Sequence, residues 1–244
     1  MYEERPAGLD GAVVWTLTPT EGAIVSPVLP DGCMDLIWTP GRLLVAGPDT
    51  RSHLPDPIPG TRYAGVRFAP GTAPAVLGVP AHELRDLRVD LDDLWGVSRA
   101  RGLTGRVDEA DDPGAALEAV ARAAAARAGR PDPLVGDIVR RLAAGEPVAA
   151  VAAVAGLGTR HLHRRSREAF GYGPKTLARI LRLQRALGLV RLGVSYATAA
   201  TRSGCADQAH LAREMRALTG MTLSDYRASA KRDTPQPSGS STTA

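Results

Sequence analysis

The sequence predicts an α+β protein of two domains. A small antiparallel β-rich domain, cupin-like or barrel-like, precedes an all-α domain of seven helices. Three observations lead there. Short segments rich in β-formers, cut every few residues by Pro or Gly, fill residues 10–70. The last hundred or so residues hold the same short helix–turn–helix unit twice. The sign of the charge changes between the halves: residues 1–130 carry a net −5 and residues 131–244 a net +9.

Composition sets the limits. A chain of 244 residues with 44% hydrophobic content has room for two ordinary globular cores. Aromatics are only 4%, so those cores must be built from Ala, Leu and Val. No apolar run approaches the ~18 residues that a membrane span needs. The start, Met1-Tyr2-Glu3-Glu4-Arg5-Pro6, has neither a basic nor an apolar leader region. Cys33 and Cys205 are too few and too far apart for a disulfide framework or a zinc quartet. The expectation is a soluble cytoplasmic protein without cofactor or metal, and without a membrane partner. Its basic half meets a polyanion and its acidic half stays clear of it.

In chain order, strands are expected at Ala12–Leu17, Met34–Trp38, Arg42–Ala46 and Tyr63–Phe68, with Leu54–Gly60 as a Pro-rich loop. Short helices follow at Thr72–Leu77 and Ala81–Leu84, and Val89–Leu94 supplies a further helix or turn. Ala115–Ala128 is nearly pure Ala and strongly helical, serving either as a packing helix or as part of a dimer interface. Gly129-Arg130-Pro131-Asp132-Pro133 breaks it. The expected division is a sensor or dimerisation domain over 1–128, a linker over 129–133, a helical domain over 134–230 and a disordered tail over 231–244.

The basic half reads as helices Pro133–Ala144, Val148–Ala155, Arg160–Ala169, Lys175–Leu192, Tyr196–Ser203, Gln208–Leu218 and Leu223–Ala230. Leu162, Arg164, Arg167 and Gly171 recur 49 positions later as Leu211, Arg213, Arg216 and Gly220. The turn glycines Gly156 and Gly204 are 48 apart, so the second turn is one residue longer. This is the pattern of a helix-turn-helix whose second helix lies in a DNA major groove. Two copies could read two adjacent groove faces. The long helix between them is a rigid spacer with basic edges, able to hold the heads about one turn, or ~34 Å, apart.

In the first head, Leu162, Ser166, Ala169 and Phe170 share the inward face, leaving Arg160, His161, His163, Arg164 and Arg167 outward behind an N-cap at Gly158. Arg presents a bidentate fork to guanine, and His163 can donate to a base or a phosphate. Arg167 lies beyond the first turns, where phosphate contact prevails. In the second head Asp207 is the N-cap and Leu211, Met215 and Leu218 face inward. Gln208, Ala209, Ala212 and Arg213 face outward: Gln suits adenine, and Ala a thymine methyl. His210 sits at the edge, as a packed or phosphate-bound histidine rather than a base reader. Lys175, Arg179 and Arg216 are weaker phosphate candidates.

From about Pro133 to Arg227 the chain resembles the DNA-binding domain of the AraC/XylS bacterial transcription regulators. The resemblance is carried most by Gly204–Met215 and Leu218–Arg227. It implies base-facing roles at Arg160, His163 and Arg164, and at Gln208, Ala209, His210, Ala212 and Arg213. Ser166 and Met215 stand where that family usually has Phe, and Cys205 where it usually has an aromatic. A softer helical domain is therefore expected, the first head especially. In the N-terminal half, Leu29–Trp38, Gly47–Thr50 and Gly65–Gly71 resemble the β-rich regions of one branch of the family. Double-stranded DNA is the implied partner. RNA polymerase, a small-molecule effector and a second copy of the chain are further ones. Activation and repression stay equally open.

A metal-cupin enzyme needs clustered His and carboxylates, but the first half has only His53 and His82. No catalytic or metal-ligating residues are expected. Arg67 either pairs with Asp35 or holds an anionic effector, with pairing favoured. A redox switch at Cys205 or Cys33 competes with the plainer reading of small buried thiols.

Overall fold

The computed structural model describes residues 1–22 and 25–230. The tail expected over 231–244 lies outside the described residues. Strands β1 (Tyr2–Pro6), β2 (Val13–Leu17), β3 (Met34–Thr39), β4 (Arg42–Ala46), β5 (Tyr63–Phe68) and β6 (Arg88–Asp90) form one antiparallel sheet in the order β1-β2-β5-β3-β4-β6. Among the described residues no pairing of β1 with β6 closes it into a barrel.

One face of the sheet is apolar because the period-2 alternation of β3 buries Met34, Leu36 and Trp38. Against that core pack α1 (Ala73–Leu77), α2 (Leu91–Trp95), α3 (Val97–Asp108) and α4 (Pro113–Ala128). The Ala-rich α4 lies over β2, β3 and β5 with Leu117, Val120, Ala121 and Ala124 buried, so it is a packing helix. Asp112 starts it by accepting the Ala115 N–H at 3.0 Å.

The other face carries a polar network. Arg67, 4% exposed, meets Asp35 at 3.3 Å, Glu4 at 3.2 Å and Asp31 at 3.6 Å. Its guanidinium is thus taken by three carboxylates, which settles the Asp35 pairing against an anionic effector at this residue. Trp15 Nε1 donates to Asp35 at 3.0 Å, and Tyr2 stacks on Trp15. Three carboxylates around one cation, out of water, cannot all ionise easily. Burial pushes the Asp31 carboxyl up to about 6, against the pull of Arg67.

A second core gathers α5 (Pro133–Ala143), α6 (Val148–Val154), α7 (Thr159–Phe170), α8 (Pro174–Arg191), α9 (Tyr196–Ser203), α10 (Gln208–Thr219) and α11 (Leu223–Ala230). These bounds agree with the sequence reading to within a residue at most ends. α8 is the axle: Leu177, Ile180, Leu183, Ala186, Leu187 and Val190 are buried, and it touches α5, α7, α9, α10 and α11. Ser166, Cys205 and Met215, the three departures from the resembled pattern, are all buried in this helical half. Ser166 is fully buried and its hydroxyl has no hydrogen-bond partner among the described residues.

Three elements differ from expectation. β1 reads Tyr-Glu-Glu-Arg-Pro, with Tyr2 as its one β-former; pairing with β2 and the Tyr2–Trp15 stack make it a strand. α3 was not expected, since Gly102 and Gly105 weaken its helical signal; it buries Ala100, Thr104 and Val107 on one stripe. The segment from Val89 divides: Arg88–Asp90 pairs with β4, and only Leu91–Trp95 is helical.

Candidate nucleic-acid interface

Each head is a short helix, a glycine turn and a longer helix. The turns superpose in their chemistry. Gly156 (φ +64°) and Gly204 (φ +88°) take the left-handed conformation that side chains resist. The next residue then bonds back into the first helix, Leu157 N–H to Ala152 O and Cys205 N–H to Ala200 O, both at 2.9 Å. Cys205 therefore fills an apolar turn position and is buried, as is Cys33. Buried thiols of this kind are poorly reactive, so the geometry favours packing over a redox role.

The helix starts differ. Asp207 accepts the His210 N–H at 2.6 Å, a true side-chain N-cap for α10. Gly158 gives α7 no side-chain cap. Both helices end on left-handed glycines, Gly171 and Gly220. α11 opens with a reciprocal pair: Asp225 accepts the Thr222 N–H, and Thr222 Oγ1 accepts the Asp225 N–H, each at 3.1 Å. The Thr222 hydroxyl, which also donates to the Asp225 carboxylate at 2.7 Å, and the Thr222 N–H together hold that carboxyl below the usual carboxylate range.

On α7, Leu162, Ser166 and Phe170 are buried while Arg160, His161, His163, Arg164 and Arg167 are exposed. On α10, Leu211, Met215 and Leu218 are buried while Gln208, Ala209, Ala212, Arg213 and Arg216 are exposed. Arg160, Arg164, Arg167, Lys175, Arg213 and Arg216 have no hydrogen-bond or ion-pair partner among the described residues. Five cations without a protein partner therefore project from the two heads and the start of α8, and a sixth, Arg216, lies within electrostatic reach of Asp225.

Three named residues are less free than expected. His210 is half-buried; its Nδ1 accepts the Ala206 N–H at 3.2 Å and its Nε2 lies 3.9 Å from Glu214. Nδ1 is thus engaged within the head, and Nε2 faces Glu214. Arg179 donates to Glu214 at 2.9 Å, with Arg182 at 3.8 Å, so it braces α8 against α10. His163 is exposed, but its ring leans on Gly173, where an added Cβ would lie 2.7 Å from Nε2. It sits beside the N-terminus of α8.

Contacts that were not anticipated join the sheet to the heads. Arg165 pairs with Asp132, the N-cap of α5, which ties α7 to the segment before the helical core. Gln184 of α8 donates to Pro30 O at 2.6 Å, and Gly32 packs against Leu177. Gly71 lies against Val135 and Phe170, and Pro48 against Gly171. Leu29–Trp38, Gly47–Thr50 and Gly65–Gly71, the very segments that carried the N-terminal resemblance, supply these contacts. The resemblance gave these segments no role, and nothing in their pattern joined them to the heads.

No helix among the described residues is long and apolar enough to cross a membrane. Nor do they hold a group of three or more His, Cys, Asp or Glu able to bind a metal ion.

A family model described as a helix-turn-helix domain matches residues 151–229. A second, a domain of unknown function (DUF6597), matches residues 12–90. No curated protein matches significantly. Among solved structures, an apo ToxT variant from Vibrio cholerae strain SCE256 is 10% identical, with 91% of this chain and 99% of that one covered, at a TM-score of 0.49. ToxT from Vibrio cholerae O395 is 10% identical over 91% and 98%, at 0.47. Unsaturated fatty acid bound wild-type ToxT from strain SCE256 is 11% identical over 93% and 97%, at 0.47. Residues 151–229, which hold both reading heads and their cations, form a helix-turn-helix DNA-binding domain of the AraC type.

Proposed function

We propose that α7 and α10 enter successive major grooves of one duplex, with α8 as the spacer. Arg160 and Arg164 in the first head, and Gln208 and Arg213 in the second, meet base edges. Ala209 and Ala212 leave room for thymine methyls. Arg167, Lys175 and Arg216 contact phosphates, as does His163 from its place beside the α8 N-terminus. His210 and Arg179 shape the second head through Glu214 rather than touching DNA. The observation that carries this reading is the sorting of charge: the cations on the outward faces are unpartnered, while Glu214 and Asp132 are already spent on other arginines.

The domain division goes with it: residues 1–128 form a sensor or dimerisation domain, 129–133 the linker and 134–230 the DNA-binding domain. The separate sheet-side and helix-side cores support that split.

The test is a pair of substitutions read on a site selected from random DNA. Arg213→Ala should cost about 1–3 kcal/mol and relax the preference at one position. Lys175→Ala should weaken all sequences alike and lower the salt slope by about one. Equal losses from both variants on selected and scrambled DNA would reject the assignment.

A further inference from the structure

The sheet half touches the two reading heads at corresponding points. Gly171 and Gly220 are equivalents in the repeat, each closing a recognition helix in the left-handed conformation. At the first end, Pro48 and Ala81 close on Gly171; a Cβ there would lie 2.5 Å from Pro48 Cγ and 3.2 Å from Ala81 O. Arg85 Nη1 donates to Gly171 O at 3.5 Å. At the second end, Ser52 Oγ donates to Thr219 O, the last residue of α10, at 2.7 Å.

Both contacts come from one braced body. The Pro48–Ser52 segment is tied to the Ala81–Arg88 segment by Asp86 and Arg88. Asp86 accepts the Thr50 N–H at 2.6 Å and the Thr50 hydroxyl at 2.9 Å, and its own N–H donates to Pro48 O at 3.2 Å. Arg88 holds Asp49 through two bonds, at 2.7 and 2.8 Å. Asp86 is also the non-glycine residue with a positive φ, +60°, among the described residues. A strained backbone persists only where its surroundings over-determine it, and such sites concentrate where geometry matters for function.

We propose that this clasp sets the spacing and angle between the two reading heads, making Ser52, Arg85 and Asp86 positioning residues for DNA recognition. It rests on the reading that both heads engage one duplex. α7 and α10 are each joined to α8. A single axle leaves each head a degree of rotation about it. A second tie from a rigid body to both helix ends removes that freedom. Each base pair inserted between half-sites turns the second by roughly 35° and moves it about 3.4 Å, so a fixed head spacing is read as half-site spacing.

The experiment measures binding of the full chain to labelled duplexes carrying its selected site with the half-sites at the native spacing and one base pair nearer or farther. The unaltered protein is expected to lose about tenfold or more at either offset, the size of a mismatched base pair. Ser52→Ala/Arg85→Ala should shrink that penalty to about threefold or less, while single-base mismatch penalties inside each half-site stay the same. Ser52→Thr keeps a hydroxyl and should keep the sharp profile. A folded double variant with the unaltered spacing profile would overturn the proposal.

A second arm needs no DNA. Spin labels at Glu168→Cys and Ala217→Cys, in a Cys33→Ala/Cys205→Ala background, report the distance between the two recognition helices. Its distribution should broaden with Ser52→Ala alone, and an unchanged width also overturns the clasp. If the unaltered protein fails to prefer its selected site over scrambled DNA, the two-head reading fails instead, and the distance measurement still judges the clasp.

Discussion

Ser166→Ala isolates one atom in the first head. The side chain is fully buried on the inner face of α7, and its Oγ has no hydrogen-bond partner among the described residues. A buried hydroxyl left unpaired carries a desolvation cost of about 1–3 kcal/mol. Removing it leaves a void smaller than a methyl group, and Ala adds a few tenths of a kcal/mol in helix propensity. The expected gain is about 1–2 kcal/mol, which for a chain of this length raises the melting midpoint by roughly 2–8 °C. The assay is a thermal melt of the full chain followed by helical circular dichroism. Ser203→Ala is the control of opposite sign: that buried hydroxyl donates to Ala200 O at 2.9 Å, and its loss should cost about 1 kcal/mol. A midpoint that falls or stays level in Ser166→Ala, or moves the same way in both variants, would refute the reasoning.

The unequal helix starts give a second pair. Asp207→Ala should destabilise the second head by about 1 kcal/mol, whereas Gly158→Ser, where open space surrounds the backbone, should gain a few tenths in the first; denaturant melts check both. The Arg67 network gives a pH dependence. Asp31 holds its proton up to about 6, against 3.8 for a free carboxyl, so its share of stability is present below pH 4 and lost as pH rises through 6. Asp31→Asn should therefore change little at pH 4 and stabilise by on the order of 2 kcal/mol at pH 7, read as the difference between two melting curves. An equal effect at both pH values would place the proton elsewhere.

The helical half was legible because local rules and packing agree there. Leu162, Leu211, Met215 and Leu218 keep the 3.6 period, Asp207 marks a start, and Gly171 and Gly220 mark ends. The sheet half was legible where β-formers alternate, as in β3, and obscure where partners decide: β1 is a strand through β2, and α3 is a helix despite two glycines. Side-chain direction was harder. His210 lies at a helix edge in the sequence, but the Ala206 N–H and Glu214 turn it inward. Arg179 is a surface cation until Glu214, 35 residues on, takes it. The clasp was invisible because its bonds are single events between distant residues, such as Ser52 and Thr219, with no periodicity to betray them.

The central claim is that two heads with unpaired cations read one specific site. Its most direct test is fluorescence anisotropy of the full chain on its selected duplex and on a scrambled duplex of equal composition, each across a range of salt. The account predicts a preference of about a thousandfold or more for the selected site, with affinity falling linearly in log salt and a shallower slope after Lys175→Ala or Arg216→Ala. Equal affinity for the two duplexes, or a slope unmoved by those substitutions, would contradict it.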